Sequence, residues 1–218
     1  MPVSPQSRPV AIAMAFVDAG YLTIGAQKQL KLPAAPRIDS DTMASWPQWV
    51  YPRGDLLRTY VYDAQYPPGD TRYPDQRAYF DALAAQPGIR LRLGHLIERS
   101  AGTAGARVQQ KGVDTLLVLD LDLDLDLVRL AQLRAFDTAL IITGDRDLAE
   151  AVRVIADDYA RRVILFSVKG SSPAKELVQA ADNHGVIADG HLRVLVGQPL
   201  KRGLKAAPAM PVDDPSGS

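Results

Sequence analysis

The sequence predicts an α/β protein, a three-layer α/β/α sandwich with a central, mainly parallel sheet. Short apolar segments typical of buried strands alternate along the chain with longer amphipathic segments typical of helices, and this alternation builds parallel sheets that carry helices on both faces. The chain has 218 residues, of which 47% are hydrophobic and 23% are charged. That length and composition suffice for one sizeable domain with a buried core.

The chain is expected to consist of one folded domain with a loose segment at each end. Residues 1–9 are rich in Pro and Ser and are predicted to be flexible. Residues 10–200 carry the alternating strands and helices and are predicted to form the domain. Residues 201–218 turn to Pro, Gly and small side chains, a composition typical of a disordered tail.

The overall composition excludes several classes of protein. The formal net charge is zero, so any contact with nucleic acid must come from a local patch of charge. The chain has no cysteine, which excludes disulfides, thiolate catalysis and cysteine-ligated zinc and fits a cytoplasmic protein. The longest apolar run, residues 11–17, is too short to span a bilayer, so no membrane segment is expected.

Five strands are predicted, each a short apolar run bounded by turn-forming residues. They cover residues 10–20, 56–64, 89–99, 136–145 and 161–168. Helices are predicted over residues 21–30, 75–88, 146–160 and 172–182. Ser172 is expected to be the N-cap of the last of these helices, with Pro173 in its first turn.

Leucine and aspartate alternate in the stretch VLDLDLDLDLVRL, residues 118–130. This segment is not expected to be a single strand. Residues 113–134 contain no Gly or Pro that would interrupt it, and strands rarely exceed about 10 residues. An EF-hand calcium loop needs Gly at its sixth position and Glu at its twelfth, where this chain has Leu125 and Ala131 counted from Asp120. The segment is therefore predicted to be a helix, which also supplies the crossover that two parallel strands require.

On this helix the leucines form one apolar arc when residues are placed at about 100° intervals. Asp122 and Asp126 fall on the opposite side, which is predicted to face solvent, whereas Asp120 and Asp124 fall inside the arc. Acids are rarely buried without partners, so two interpretations stay open. The two acids contact Arg side chains or a partner subunit in a homodimer, or Asp120 faces a polar cleft at the edge of the sheet.

Further acids are predicted at strand ends and helix starts. Asp18 ends the first strand, Asp145 and Asp147 follow the fourth, and Asp114 opens the crossover helix. If the first and fourth strands are neighbours, their carboxyl ends bring these acids together. Clustered carboxylates stay ionised only around a cation, and hard oxygen ligands suit Mg²⁺ or Mn²⁺. The alternative is that Asp18 caps a helix and that Asp114 and Asp147 interact with helix dipoles.

Six stretches follow one another along the chain: AFVDAGYL, RTYVYDA, KGVDTLLVLDL, FDTALIITGDRDLAEAV, RRVILFSV and ELVQAAD. The third and fourth hold a fairly specific pattern, KGVD with a second Asp six residues after its own, then a strand and TGDRD. Together the stretches, over about residues 11–189, resemble the NYN domain, the LabA-like family of PIN-like ribonucleases. The resemblance implies a PIN-like sandwich that cleaves RNA with Mg²⁺ or Mn²⁺ as cofactor.

The resemblance also implies roles for individual residues. Asp18, Asp114 and Asp145 match the catalytic acids that bind the metal. The supporting residues would be Asp147, Asp120, Thr143 and Tyr21. At Tyr21 the chain departs from the family, because many members carry Asn there, and a tyrosine lacks the carbonyl acceptor of an amide.

Four residues are candidates for contact with RNA, which is expected to be single-stranded. Lys111 and Arg146 each neighbour a presumed metal-binding acid and are expected to bind substrate phosphate. Tyr66 and Tyr73 either stack on bases or pack within their own loop.

Two other functions fit the same residues. The domain could keep the fold and the acidic pocket and bind RNA or a protein partner without turnover. A phosphatase acting on small phosphoesters is the third hypothesis.

Overall fold

The structure is a computed structural model that describes residues 10–52, 54–95 and 113–199, with side chains described for all of these except residues 95 and 113–121. The predictions for residues 1–9, Lys111 and residues 201–218 lie outside this part. Six strands run through the described residues: β1 (Ile12–Asp18), β2 (Asp55–Gln65), β3 (Ile89–His95), β4 (Thr138–Ile142), β5 (Arg162–Val168) and β6 (Asn183–Ile187). They form one sheet in the order β3-β2-β1-β4-β5-β6, and every neighbouring pair is parallel.

Helices cover both faces of this sheet. One face packs against α1 (Ala19–Leu30), α2 (Ser40–Val50), α3 (Tyr73–Ala84) and α7 (Asp189–Leu195). The other face packs against α4 (Val113–Gln132), α5 (Ala149–Arg153) with the π-helical turn Val154–Asp158 that continues it, and α6 (Lys175–Ala180). The predicted three-layer sandwich with a parallel sheet is confirmed. Within the described residues, no helix has the length and apolar composition of a membrane span.

The apolar sequence of β1 explains why it lies in the middle of the sheet. Ala15 and Val17 belong to the core on the face of α1, whereas Met14 and Phe16 belong to the core on the face of α4. A strand buried on both faces reads as a continuous apolar run instead of an alternating one. The same holds for β4, all five residues of which are buried.

The order of the strands creates a crevice at the end of β1. The chain moves outward from β1 to β2 and β3, and α4 then carries it back to β4 on the other side of β1. In open α/β sheets, ligands bind beyond the carboxyl ends of the strands where the strand order reverses in this way. Val17 pairs with Ile142, so the residues that follow them, Asp18 and Thr143, lie side by side at that point.

Two parts of the fold differ from the prediction. Ser172 is not a helix N-cap, because α6 begins at Lys175 with Ala174 as N-cap and without a side-chain cap. Residues 169–172 instead form a loop against α1, and Gly170 at φ +80° lies so close to Gln29 that a Cβ there would be 2.6 Å from its Oε1. The edge strand β6 and helix α7 were not predicted, because the sequence NHGVI of β6 alternates only weakly and is half exposed.

Asp126 was predicted to face solvent, and this prediction is wrong. Its side chain is buried, with 8% of the residue exposed. Arg92 Nε on β3 donates to Asp126 Oδ2 at 2.8 Å, and the Tyr62 hydroxyl on β2 donates to the same oxygen at 3.1 Å. The leucine pattern predicted that this face of the helix is exposed to solvent. Because α4 packs across β2 and β3, polar side chains of those strands contact it instead.

Candidate functional site

Asp18 ends β1 and starts α1. Its Oδ1 accepts a hydrogen bond from the Tyr21 amide at 2.8 Å, so Asp18 is the N-cap of α1, as one of the two interpretations predicted. Its Oδ2 accepts from the Thr143 hydroxyl at 3.3 Å. Two hydrogen bonds thus hold the half-buried carboxylate at the crevice between β1 and β4.

The loop after β4 places Asp145 beside Asp18. Thr143 is fully buried, and its hydroxyl accepts from the Asp145 amide at 3.3 Å. Asp145 Oδ1 in turn accepts from the Asp147 amide at 3.1 Å. Burial raises the pKa of Asp18, and the negative charge of Asp145 raises it further. The prediction that the ends of the first and fourth strands bring acids together is therefore correct for this pair.

Helix α4 brings a third acid toward this pair. Asp124 is half-buried, and its Oδ1 is buried without a hydrogen-bond partner among the described residues. Burial raises the pKa of Asp124 to about 6, and the charges of Asp145 and Asp147 contribute to the shift. The carboxylate therefore lies near acids of its own chain, and the predicted homodimer stays a prediction.

One of the two interpretations of the sequence placed the other acid of this helix face, Asp120, in the cleft. Residues four apart are neighbours on a helix surface, so Asp120 and Asp124 occupy successive turns of one face. The backbones of Asp114 and Asp120 are part of α4, and their side chains lie outside the described residues. Their predicted roles stay predictions.

Asp63 is an acid at the same edge that the sequence analysis did not select. It lies near the end of β2, the strand beside β1. Burial raises the pKa of Asp63 to about 6; a hydrogen bond from the Ala64 amide partly offsets this, and the charge of Asp18 raises the pKa further. A signal was present, because RTYVYDA carries an acid at its last position but one, and the first strand also ends on an acid.

The described carboxylates do not by themselves form a complete metal site. Among the described residues, no group of three or more Asp, Glu, His or Cys side chains is arranged to hold one ion. Asp18 and Asp145 form a close pair, and Asp124 and Asp147 lie near Asp145. The side chains of the first half of α4 lie outside the described residues.

A pocket of about 720 Å³ extends from Asp18 and Asp145 along α1. The loop after β5 forms its other wall. The residues that line it are Asp18, Gly20, Tyr21, Ile24, Gly25, Lys28, Gln29, Gly144, Asp145, Lys169, Gly170, Ser171 and Ser172. The pocket therefore joins a negatively charged end to an end that carries two lysines.

Tyr21 connects three parts of the site. Its hydroxyl hydrogen-bonds to Ser171 Oγ at 2.5 Å and accepts from the Val168 amide at 3.3 Å. Its ring packs on Gly144, where a Cβ atom would lie 2.4 Å from the ring carbon Cε2. Tyr21 thus fixes the start of α1 against the ends of β4 and β5.

Replacing Gly144 with alanine is expected to displace the Tyr21 ring. Overpacking of this kind costs about 1–3 kcal/mol, which urea unfolding monitored by circular dichroism would measure. Gly69→Ala is the matched control, because a Cβ at Gly69 meets nothing within 4 Å. Equal stability of the two variants would contradict the packing of Tyr21 on Gly144.

The remaining predicted contacts lie outside the pocket lining. Arg146 is exposed, and its Nη2 lies 3.4 Å from Glu176 Oε1. Asp147 is also exposed. The guanidinium of Arg72 lies over the Tyr66 ring, 3.9 Å from its centre, which favours packing of Tyr66 within its own loop.

Comparison with known proteins matches the chain to a domain family and to a protein of similar sequence. The sequence pattern of the NYN domain matches residues 13–188. The uncharacterized protein y4oD of Sinorhizobium fredii is 35% identical over 103 residues, which cover 46% of this chain and 41% of that protein. The chain therefore spans about two fifths of that relative's length.

A solved structure supports the fold. The crystal structure of VPA0982, a protein of unknown function from Vibrio parahaemolyticus, matches with a TM-score of 0.55 at 17% identity, over 84% of this chain and 97% of that one. Such a likeness concerns the fold alone. The family match covers most of the chain, so the chain belongs to the NYN domain family, a family of nuclease-like proteins.

Proposed function

We propose that the chain is a cytoplasmic, divalent-metal-dependent ribonuclease that hydrolyses phosphodiester bonds of single-stranded RNA. The observation that carries the proposal is that Asp18 and Asp145 are joined through the Thr143 hydroxyl at the point where the strand order reverses, with Asp124 of α4 near enough to interact with the charge of Asp145. Buried like charges repel one another, and a cation offsets that repulsion. Membership of a nuclease-like family supports the same conclusion.

The donor atoms fit a hard cation. All of the acids offer carboxylate oxygens, which Mg²⁺ and Mn²⁺ prefer. Asp124 Oδ1, which has no hydrogen-bond partner among the described residues, is suited to a cation. In the proposal Asp18, Asp114 and Asp145 hold the ion, supported by Asp120, Asp124 and Asp147. Such an ion, when bound, lowers the pKa of a water molecule and offsets charge that develops on the phosphate.

The protein's own groups orient this site. The Thr143 hydroxyl holds one oxygen of Asp18, and the Asp147 amide holds one oxygen of Asp145. Both carboxylates are therefore fixed before a substrate arrives, which lowers the cost of reorganisation in the reaction. In the proposal Lys111 and Arg146 bind substrate phosphate at the rim.

Asp145→Asn is expected to abolish most cleavage of a mixed-sequence single-stranded RNA in the presence of Mn²⁺. Charge stabilisation by a metal is worth several kcal/mol, and each ~1.4 kcal/mol changes a rate tenfold, so we expect a loss of roughly 100-fold or more. Gel analysis of labelled RNA with Mn²⁺, Mg²⁺ or EDTA measures this loss. Asp157→Asn, at an exposed position in the π-helical turn Val154–Asp158, is the matched control and should cleave like the unmodified protein.

A second candidate is a module that binds RNA without cleaving it. The observation that favours it is that the described residues hold no group of three ligands for one ion. RNA binding with no cleavage by either the unmodified chain or Asp145→Asn, under every metal condition, would support this candidate and contradict the nuclease.

A further inference from the structure

The pocket beside the carboxylates has the size of a ligand site. Its volume is about 720 Å³, and small-molecule sites occupy about 300–1,000 Å³. Asp18 and Asp145 account for only one end of it. The rest, between α1 and residues 169–172, has no role in holding an ion.

The middle of this pocket is smooth and largely apolar. Gly25 belongs to its wall and lies so close to β5 that a Cβ there would be 3.0 Å from the Val168 side chain. Ile24, one residue earlier, also lines the pocket and is 49% exposed, which is a large aliphatic surface left open to solvent. The Tyr21 ring continues this wall toward Asp18. An aromatic and aliphatic wall of this kind suits the flat face of a nucleobase, which every base offers regardless of sequence.

The far end of the pocket is positively charged. Lys28 follows Asp18 by ten positions on α1, or about 15 Å along the helix axis at ~1.5 Å per residue. Among the described residues, Lys28 has no salt-bridge partner and its side chain is exposed. Lys169 lines the same end of the pocket. It forms an ion pair with Asp189, whose Oδ1 lies 3.7 Å from its Nζ and also accepts from Gln29 Nε2 at 2.8 Å, so the lysine would share its charge between this carboxylate and a bound phosphate.

The order of these features along the pocket matches that of a phosphate, a base and a following phosphate in a nucleic-acid strand. Asp18 and Asp145 stand where the cleaved phosphodiester would lie, the wall of Tyr21 and Ile24 comes next, and the lysines follow. We propose that this pocket binds the stretch of single-stranded RNA next to the cleaved bond, with a base on the wall and a following phosphate between Lys28 and Lys169. The position relative to the cleaved bond rests on the proposed function; the binding of RNA by the pocket does not.

The test is binding of a short fluorescent single-stranded RNA to the full chain in EDTA, measured by anisotropy at several salt concentrations. Lys28→Glu and Lys169→Glu are each expected to weaken binding about tenfold at low salt. Each should also lower the slope of log K against log [salt] by about 0.7, the value for one phosphate contact with a single strand. Lys28→Arg, which keeps the charge, should bind like the unmodified chain.

Ile24→Asp tests the wall independently of the lysines. Binding should weaken about fivefold or more, because a charged side chain removes the apolar contact and repels phosphate. Arg90→Glu is the matched control for charge reversal. Arg90 is exposed near the amino end of β3, at the opposite edge of the sheet, and its replacement should change the affinity by less than about twofold.

The outcomes separate this inference from the proposed function. If the unmodified chain cleaves RNA while both lysine variants bind and cleave as it does, the pocket proposal is wrong and the nuclease stands. If no cleavage is found but the lysine variants lose affinity and salt dependence, the pocket is an RNA site in a protein that is not a nuclease. Failure of the unmodified chain to bind RNA at all also overturns the pocket proposal. Because Ile24, Lys28 and Arg90 are exposed, thermal unfolding of these variants should match that of the unmodified chain.

Discussion

Replacing Asp124 with asparagine is expected to make the protein more stable and less active at the same time. The Asp124 carboxylate has a buried oxygen without a hydrogen-bond partner among the described residues, and it faces Asp145 and Asp147. Asparagine removes the charge and keeps the shape. After allowance for partial exposure, we expect a gain of about 1–2 kcal/mol in the free energy of unfolding without metal. If Asp124 supports the ion, cleavage should fall by roughly 100-fold.

The gain in stability should depend on pH in a defined direction. The folded-state pKa of Asp124 is raised from 3.8 to about 6, so the ionised group destabilises the fold above pH 6, and this cost disappears as the pH falls toward 3.8. Urea unfolding in EDTA at pH 7.5 should therefore show the difference, and unfolding near pH 4 should not. Mn²⁺ should raise the unfolding midpoint of the unmodified chain more than that of the variant, because a ligand stabilises the state that binds it.

Asp122→Asn provides the control on the same helix. Asp122 lies two positions earlier, which at about 100° per residue is roughly 200° around the helix axis from Asp124, so its replacement should change stability by less than about 0.5 kcal/mol and leave cleavage unchanged. A loss of stability in Asp124→Asn would contradict the argument, because it would mean that the carboxylate has a favourable partner.

The sheet could be predicted from the sequence because buried parallel strands carry their own signal. A largely apolar run with an acid or a glycine at its end or within the next two residues indicates a strand buried on both faces, and β1, β4 and β5 all have that pattern. The helix between β3 and β4 indicates that β4 is parallel to the other strands, but it does not determine that β4 pairs with β1, which only the structure shows. The strand β6 lacks the signal because it lies at the edge, where alternate residues meet solvent and the apolar pattern is lost.

Only those site residues that directly follow a strand could be predicted from the sequence. Asp18 and Asp145 follow neighbouring strands, and the register of a parallel sheet brings such residues together. Asp124 depends on the rotation of α4 about its axis, which side-chain packing decides. Lys28 and Lys169 belong to two elements far apart in sequence, and no local pattern marks a lysine on an exposed surface as part of a pocket.

The rotation of α4 depends on an ion-pair cluster around Asp126. Burial alone would raise the pKa of Asp126, but hydrogen bonds from Arg92, Arg129 and Tyr62, together with the charge of Arg92, outweigh burial and lower it. Arg92 Nε lies 2.8 Å from Asp126 Oδ2, and Arg129 Nη2 lies 3.2 Å from Asp126 Oδ1. The cluster joins α4 to β2 and β3, so it holds the face that presents Asp124 to the site.

Replacing Asp126 with alanine is therefore expected to destabilise the protein by about 2–3 kcal/mol. Breaking a fully buried ion pair costs about 3–5 kcal/mol, and the smaller value reflects that 38% of the Arg92 side chain is exposed. Because the folded-state pKa of Asp126 is lowered, the stabilisation is present above pH 3.8 and is lost as the pH falls through the folded-state pKa. Urea unfolding at pH 7 and near pH 3 measures both effects.

Asparagine at Asp126 and at Asp124 should change the free energy of unfolding in opposite directions. The two residues carry the same side chain on one helix, two positions apart, yet asparagine at Asp124 should stabilise the protein and asparagine at Asp126 should destabilise it. Arg129→Gln should cost only about 0.5 kcal/mol, because the Arg129 side chain is 57% exposed and exposed pairs contribute little. Equal effects of asparagine at the two positions would mean that α4 is rotated differently, and the approach of Asp124 to Asp145 would then have no structural basis.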